Sequence, residues 1–454
     1  MGNTESAMVQ KRLQRFRPEE RPVVEGLDRL LGAGAPSGPP GTTLTLEMLQ
    51  ASMGGLAPDS MVRRVHRCML GIDPGPAAPG KSGASGVGRE QLVIFLADSL
   101  RGTAEERAPL VMAMARGGGE VAVTSEQLAE FLQDLISAVV LILVHRGRLQ
   151  AWQPERMGDS CLAVKLLAQQ MCSELQPSDE GSYDVSCVEA WISRVSPVWL
   201  YLEMLVAEGL DVALIGRPAP PLLPPCGEET PWRDVRSLLD IPTLMFLTAQ
   251  LPDGSGAPWR LVFSTQLHGE SFTRMLGGLT GCGPTLLLLK DTRGHVFGGF
   301  ASHAWDLKPQ FQGDSRCFLF SVSPSLRVYP ATGYNEHFMY LNQHQQTMPN
   351  GLGMGGQHGY FGLWLDGDFG RGHSRARPTC STYGSPQLSG EEDFTLDSVE
   401  VWAVGKTPQP EEGEEGRGQK SVLDANPELQ AMLEMAGKTL HSQGLREPQE
   451  DQDQ

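Results

Sequence analysis

A hydroxyl, an imidazole and a carboxylate lie close together in the second half of the chain, at Ser264, His268 and Glu270. These are the side-chain types of an acyl-transfer triad, in which a base activates a nucleophile. A triad is defined by geometry, however, and the chain has no GxSxG motif of the kind that presents a nucleophilic serine. We therefore predict that Glu270, like Asp291 and Glu400, forms hydrogen bonds or contacts a partner, and that the protein is not an enzyme.

Histidines are concentrated in the same part of the chain. They are His268, His295, His303, His337, His344, His358 and His373. No pair of them has the i, i+4 spacing beside a glutamate that is typical of a metalloprotease helix. We interpret them as turn and core residues and expect no metal and no cofactor. An enzyme of oxidative-stress defence that uses these histidines is the alternative.

The glycines Gly351, Gly353 and Gly356 match the dinucleotide-binding fingerprint in form. That fingerprint follows a strand and begins a helix, because the helix N–H groups bind the pyrophosphate. Here a predicted strand follows instead of a helix. We therefore predict a flexible glycine-rich loop without a nucleotide.

The first residues carry a different chemistry. Gly2 and Ser6 fit the M-G-x-x-x-[ST] pattern for myristoylation of the Gly2 amine. One myristoyl chain binds a membrane only weakly, with an association constant on the order of 10⁴ M⁻¹, so a second signal is needed. A basic segment supplies that signal, because anionic lipids attract cations. Its residues are Lys11, Arg12, Arg15 and Arg17. We predict a lipid-anchored N-terminus; an unmodified end with a solvated basic face is the alternative.

Composition limits the classes of function. The chain has 454 residues, of which 40% are hydrophobic, so it can bury sizeable cores in several domains. Its formal net charge of −17 disfavours nucleic-acid binding, which depends on Lys and Arg. The longest apolar run, residues 138–144, is shorter than the ~20 residues that span a membrane. Because we find no export signal and no CxxC pair among eight cysteines, we expect reduced thiols in the cytoplasm.

Residues 18–216 are expected to be helical, in two EF-hand-like regions at 18–110 and 111–216. Four times a loop leads into a short extended segment and then an amphipathic helix. The extended segments begin at Leu44, Val87, Val123 and Val185. Calcium loops need oxygen ligands at their first, third and fifth positions, and Ser178, Glu180 and Ser182 would enclose calcium poorly. We predict a scaffold without calcium loops; a calcium-responsive membrane switch is the alternative.

Residues 128–152 are the most apolar helical stretch. Their apolar side chains cover much of the helix circumference, which predicts a buried central helix. A helix lying on a membrane surface is the alternative.

The remaining chain divides into five segments. Residues 217–240 are rich in proline and are expected to form a semi-rigid linker. Residues 241–405 alternate in a strand-like pattern, which predicts an antiparallel β-sandwich with flanking helices. We predict an acidic disordered linker at 406–420, then an amphipathic helix at 421–441 and a disordered tail at 442–454. The apolar stripe of that helix comprises Leu429, Met432, Leu433 and Leu440. We predict that this stripe binds a partner, because a short tethered helix is unstable alone; docking on its own chain is the alternative.

Specific motifs of residues 241–405 resemble the TLDc domain family. They comprise His268, Gly269, Glu270, Ser271 and Phe272, then Gly294, Phe297 and Gly298, and finally Glu400 and Trp402. The resemblance implies a binding module that associates with subunits of the vacuolar proton-pumping ATPase. With the myristoylation pattern and the helical first half, the chain is most similar to a lysosomal member of that family associated with mTOR signalling. That similarity implies mTOR signalling components as partners and a peripheral position on the lysosomal membrane.

Overall fold

The computed structural model describes residues 7–21, 43–73, 86–116, 122–176, 182–212, 221–252 and 256–405. They all belong to one compact unit, Met1–Thr407. The predicted acyl site at Gly2, the Ser178 and Glu180 positions and the whole C-terminal segment, including Leu429, Met432, Leu433 and Leu440, lie outside the described residues.

The first half of the described chain is helical, as predicted. Its α-helices are Ala7–Leu13, Leu46–Met53, Asp59–Leu70, Arg89–Arg101, Ala104–Ala115, Ser125–His145, Ser160–Cys172, Val185–Arg194 and Pro197–Gly209, with a 3-10 turn at Pro154–Arg156.

The fourfold loop-and-helix pattern folds as two pairs. Strand β1 (Thr43–Leu44) is antiparallel to β2 (Val87–Gly88), and each precedes a helix. In the second pair, Val123 forms an antiparallel bridge with Tyr183. The sequence placed the fourth extended segment at Val185, but that residue already begins a helix, because Asp184 caps it by accepting a hydrogen bond from Cys187 N.

The central helix of this half is Ser125–His145. Thr124 caps it, and a row of fully buried residues that includes Phe131, Leu135 and Val139 packs it into the core. It is the one helix of the described chain that is long and apolar enough to cross a membrane, but half of its apolar window is buried inside the protein. The helix ends earlier than the sequence indicated, so Trp152 lies beyond it.

The second half contains one curled antiparallel sheet, which confirms the predicted helical half followed by an antiparallel β domain. Its strands are β3 (Arg260–Ser264), β4 (Thr285–Asp291), β5 (Val296–Ala301), β6 (Lys308–Gln312), β7 (Phe318–Ser323), β8 (Arg327–Pro330), β9 (Met339–Asn342), β10 (Gly351–Gln357), β11 (Tyr360–Asp366), β12 (Arg371–His373) and β13 (Asp393–Ala403). Their order is β6-β9-β10-β11-β12-β13-β4-β5-β7-β8, and β3 also pairs with β13.

The long strand β13 explains the curl. Its first residues pair with β12, and the rest pair with β3 and β4, with a register shift between Leu396 and Ser398. The two faces of the predicted sandwich are thus parts of one sheet, which bends at β13 around a shared core. Helices Ile241–Gln250, Thr265–His268 and Phe272–Leu279 flank it.

The glycine-rich segment is a strand, so the predicted flexible loop is wrong. Gly351 and Gly353 lie on β10, and the rings of Phe361 and Trp364 on β11 lie across them. A Cβ added at Gly353 would come within 2.6 Å of the Phe361 ring. Glycine therefore serves close packing at these two positions.

The described part of the proline-rich segment, residues 221–240, packs between the two halves. Cys226 N donates to Gln150 O at 2.8 Å on one side, and Trp259 N donates to Pro225 O at 2.7 Å on the other. Ser237 N also donates to Arg156 O at 2.8 Å. One hydrophobic core therefore continues from the central helix through this segment to β13.

Candidate interaction site at the joint between the helices and the sheet

We call residues 221–240 the joint segment, and the place where they meet β13 and the central helix the joint. Glu400 on β13 is a fully buried carboxylate at this joint, with 1% of its surface exposed. Its Oε2 accepts hydrogen bonds from Ser237 Oγ at 2.8 Å and Trp402 Nε1 at 3.1 Å, and its Oε1 accepts one from Leu238 N at 2.8 Å. Burial raises the pKa of Glu400 to about 7, and the three donors only partly offset that effect. The side chain binds the joint segment to the sheet and faces no substrate space.

Four tryptophans from different parts of the chain form a cluster beside this carboxylate, which Trp402 contacts directly. Trp152 follows the central helix, Trp232 belongs to the joint segment, and Trp259 and Trp402 belong to the sheet domain. The ring centroid of Trp152 lies 5.2 Å from that of Trp402, 5.8 Å from that of Trp232 and 6.0 Å from that of Trp259. Trp152 Nε1 donates to Pro224 O at 2.8 Å. Such ring pairs add stability beyond their buried area, so this tryptophan cluster fixes the joint.

The motif from His268 to Phe272 forms a turn between two short helices. Gly269 has a φ of 72°, a left-handed conformation that favours glycine. Ser271 caps the following helix, whose first residue, Phe272, is buried in the sheet core. Glu270 projects from this turn and is exposed.

Ser264 and His268 do not form a nucleophile and base. The backbone N–H of Ser264 donates to His268 Nδ1 at 3.1 Å, while Ser264 Oγ accepts from Gln266 N. Ser264 is also fully buried. Both side chains therefore terminate β3 and begin the next helix, and neither is arranged for acyl transfer.

A second group of residues with the side-chain types of a triad, Ser389, Asp291 and His295, also has a structural role. Ser389 Oγ donates to Asp291 Oδ2 at 2.6 Å, and Asp291 Oδ1 accepts from the backbone N–H groups of Arg293 and His295. Serine therefore meets the carboxylate without an intervening imidazole. Gly294, at a φ of 86°, completes this hairpin turn, and Asp291 holds it in shape.

The hairpin also explains two other motif residues. Phe297 on β5 is fully buried, with its ring centroid 5.2 Å from that of Phe394. At Gly298 an added Cβ would collide with the carbonyl oxygen of Leu287 on the neighbouring strand. These two positions therefore pack the sheet.

Three of the histidines gather around the aromatic rings of Phe311, Phe361 and Trp364, whereas His268 stacks on Phe263. His337 and His358 both stack on Phe311, with ring centroids 4.1 and 5.2 Å from it. His373 stacks instead on Trp364, and burial lowers its pKa to about 4, so it is neutral at physiological pH. Among the residues that the structure describes, no three His, Cys, Asp or Glu side chains are grouped to hold a metal ion.

A cleft of about 790 Å³ lies beside the joint and brings together three of the motif residues, Gly269, Glu270 and Gly294. Helix Ser160–Cys172 forms the opposite wall, where Leu162 is 52% exposed. Its rim carries charges of both signs, including the Lys290–Asp397 ion pair at 3.2 Å. A mixed rim with an accessible apolar side chain is typical of protein contact surfaces.

Of the four side chains of the predicted basic segment, two are exposed to solvent and two form ion pairs within the protein. Lys11 and Arg17 are exposed. Arg12 and Arg15 instead bind carboxylates of the helical half, with Arg12 Nε 2.6 Å from Asp98 Oδ1. Of the predicted cations, these two are engaged within the protein itself.

Sequence reasoning missed the residues that meet Glu400 and Trp402 at the joint. They are Trp152, Trp232, Ser237, Leu238 and Trp259. The chain has eight tryptophans, so their number was visible, but nothing in their spacing indicated that four would meet.

Comparison with known proteins identifies the domain family of the sheet. Residues 233–405 match the TLDc domain, so the curled sheet with the buried Glu400 is a TLDc fold. Oxidation resistance protein 1 of Bos taurus is 37% identical over 159 residues, which cover 35% of this chain and 17% of that protein. This likeness therefore covers only about a third of the chain.

Other relatives match along the whole length. The MTOR-associated protein MEAK7 of Danio rerio is 61% identical over 457 residues, and that of Homo sapiens is 41% identical over 463 residues; each alignment covers 100% of both chains. The chain belongs to this family of mTOR-associated TLDc proteins.

Proposed function

We propose that this protein is a non-enzymatic adaptor of mTOR signalling that is peripheral on the lysosomal membrane and binds the vacuolar proton-pumping ATPase. Full-length relatives are named as mTOR-associated proteins, which supports the signalling role. The pump and the lysosomal surface are what the TLDc resemblance implies. Gly2 would carry the lipid, and the TLDc domain and the C-terminal helix with Leu429, Met432, Leu433 and Leu440 would contact the pump.

The cleft beside the joint is the observation that carries the adaptor function. Three motif residues of the TLDc domain line it, and Glu270 is exposed among them. The motif residues that resembled a catalytic triad, Ser264 and His268, are engaged in backbone hydrogen bonds. A surface of this kind is suited to recognising a macromolecule, because binding needs exposed side chains and does not need a reactive group.

Binding to purified vacuolar ATPase tests the role of the cleft. We expect Glu270→Lys to weaken binding at least tenfold, because the substitution reverses a charge on the contact surface. Glu336→Lys is the matched control, because Glu336 is exposed in a different loop of the same domain. Equal binding of both variants and the wild type would contradict a contact through the cleft.

The membrane anchor and the C-terminal helix have separate tests. Gly2→Ala should lower recovery of the protein with lysosomal membranes, where only the pump contact would then hold it, while leaving pump binding in solution intact. Truncation before Ser421 should weaken pump binding without altering membrane recovery. Turnover of a small molecule that disappears in His268→Ala would instead support the enzymatic alternative.

A further inference from the structure

The N-terminal helix Ala7–Leu13 is part of the folded body. Its side chains Val9 and Leu13, with Phe16 just beyond it, are buried with 0%, 6% and 1% of their surfaces exposed. They pack in the core of the helical half, where the helix lies against Arg89–Arg101. The apolar face of this helix is therefore covered.

Two carboxylates hold basic side chains of the same helix and of the turn that follows it. Asp98 Oδ1 lies 2.6 Å from Arg12 Nε and 3.2 Å from Arg15 Nη1. Glu106 accepts two parallel hydrogen bonds from Arg15, at 2.7 and 2.5 Å. Side-chain hydrogen bonding by Arg15 lowers the pKa of Glu106 to about 2, so that carboxylate is charged at neutral pH. The arginines and carboxylates form one clamp.

A helix that lies on a membrane needs the same two sets of side chains. Its apolar residues enter the acyl boundary, and its Lys and Arg residues meet anionic headgroups. The side chains of Val9, Leu13 and Phe16 are removed from water both in the protein core and in a bilayer. Their burial is therefore about equally favourable in the two positions. The partners of Arg12 and Arg15 therefore decide where the helix lies.

We propose that residues 7–17, the helix Ala7–Leu13 and the turn after it, are a membrane-binding segment that Asp98 and Glu106 hold on the protein body, and that an anionic phospholipid surface competes with these carboxylates for Arg12 and Arg15. This inference rests on the membrane position in the proposed function. Lys11 and Arg17 are exposed in the docked helix, so they make the first contact with lipid. Transfer of the two arginines then releases the helix from the body.

Removing the clamp carboxylates is the direct test. Unacylated protein is mixed with phosphatidylcholine vesicles that contain one-fifth phosphatidylserine. In Asp98→Asn/Glu106→Gln both arginines are freed, and each contributes roughly a fivefold gain in affinity for an anionic surface, so we expect about 30-fold tighter binding. Both substitutions preserve the side-chain size. The new amide at position 106 also keeps an oxygen for the backbone N–H of Thr103, which donates to Glu106 at 3.0 Å.

The matched control has the same change in net charge. Asp59→Asn/Asp134→Asn also removes two ion-paired carboxylates of the helical half, whose partners are Arg63 and Arg64. We expect its vesicle binding to stay within twofold of the wild type. An equal gain in both double variants would overturn the proposal, because net charge alone would then explain it. Unchanged binding of the clamp variant would overturn it as well.

Hydrogen exchange gives a second reading without any lipid. We expect residues 7–17 to lose protection in Asp98→Asn/Glu106→Gln while Ser125–His145 stays protected, which also verifies that the variant is folded. Full protection of residues 7–17 in the variant would overturn the clamp. Since the protein here carries no lipid, these results are independent of the Gly2→Ala test of the anchor.

Discussion

The N-terminal helix and the sheet domain are both joined to the helical half, but by opposite means. Besides its buried apolar side chains, the helix is held by ion pairs of Arg12 and Arg15 with the buried Asp98 and the partly exposed Glu106. The tryptophan cluster joins the sheet domain around Glu400, which is buried among uncharged donors. Ion pairs close to the protein surface contribute little stability and are screened by salt. Contacts between buried aromatic rings contribute more and are not screened. The first joint is therefore suited to release and the second to permanence.

Trp402→Ala should produce the largest effect, because it breaks the permanent joint. The side chain is fully buried and contacts two other tryptophans, so its loss leaves a large cavity. We expect a loss of about 3–5 kcal/mol in the free energy of unfolding, measured with urea. Tyr334→Ala is the aromatic control, because Tyr334 is 81% exposed, and it should change stability by less than about 0.5 kcal/mol. A loss below about 1 kcal/mol for Trp402→Ala would contradict this account of the joint.

Glu400→Gln should change how stability depends on pH. The pKa of Glu400 is raised to about 7 in the folded protein, above the roughly 4.3 expected for the unfolded chain. Between these values the folded state retains the proton that the unfolded state releases. The contribution of Glu400 to stability is therefore fully present below about pH 4.3 and is lost as pH rises to about 7, at up to about 1.4 kcal/mol per pH unit.

Urea unfolding of wild type and Glu400→Gln between pH 5 and 7 isolates this contribution. The variant cannot titrate at this position, so its stability should be flatter over that window. Parallel pH profiles would show that Glu400 is already ionised at low pH.

Glu106→Gln should show the opposite sign, which sharpens the contrast between the two joints. The pKa of Glu106 is lowered to about 2, so its contribution is present above the unfolded value of roughly 4.3 and is lost as pH falls through about 2. We expect the variant to be about 1 kcal/mol less stable at pH 7, since solvent screens this side chain. The gap to the wild type should close at low pH. A gap that persists at pH 2 would rule out an ionic clamp.

Arg15→Lys should have the smallest effect. A lysine cannot make the two parallel bonds that Glu106 receives, so we expect a loss of roughly 0.5–1 kcal/mol at low salt, and less at 1 M salt. Lys11→Arg is the control, because Lys11 is exposed, and it should be neutral. A loss of the same size at both salt concentrations would indicate lost packing instead of lost charge.

Local patterns predicted the elements well. The strands, the capped helices and the loop-and-helix repeat follow from periodicity and cap residues, which act over a few neighbours; Thr124 and Ser271 both cap where such residues are expected. The prediction of a flexible loop at Gly351 was wrong, and the burial of the proline-rich segment was not foreseen, for one reason. At Gly351, the aromatic rings of a neighbouring strand require glycine. The proline-rich segment is ordered by its burial between the two halves. Neither cause can be read from the neighbouring residues in the sequence.

Sequence alone determined the order of helical half and sheet domain, the likeness to a TLDc domain and the acidic character of the chain, because composition and short-range pattern encode them. Tertiary structure alone decided that Glu400 is buried at a joint of four tryptophans and that Arg12 and Arg15 face carboxylates. Those outcomes depend on residues far apart in the chain, where burial and charge are set by what folding brings into contact.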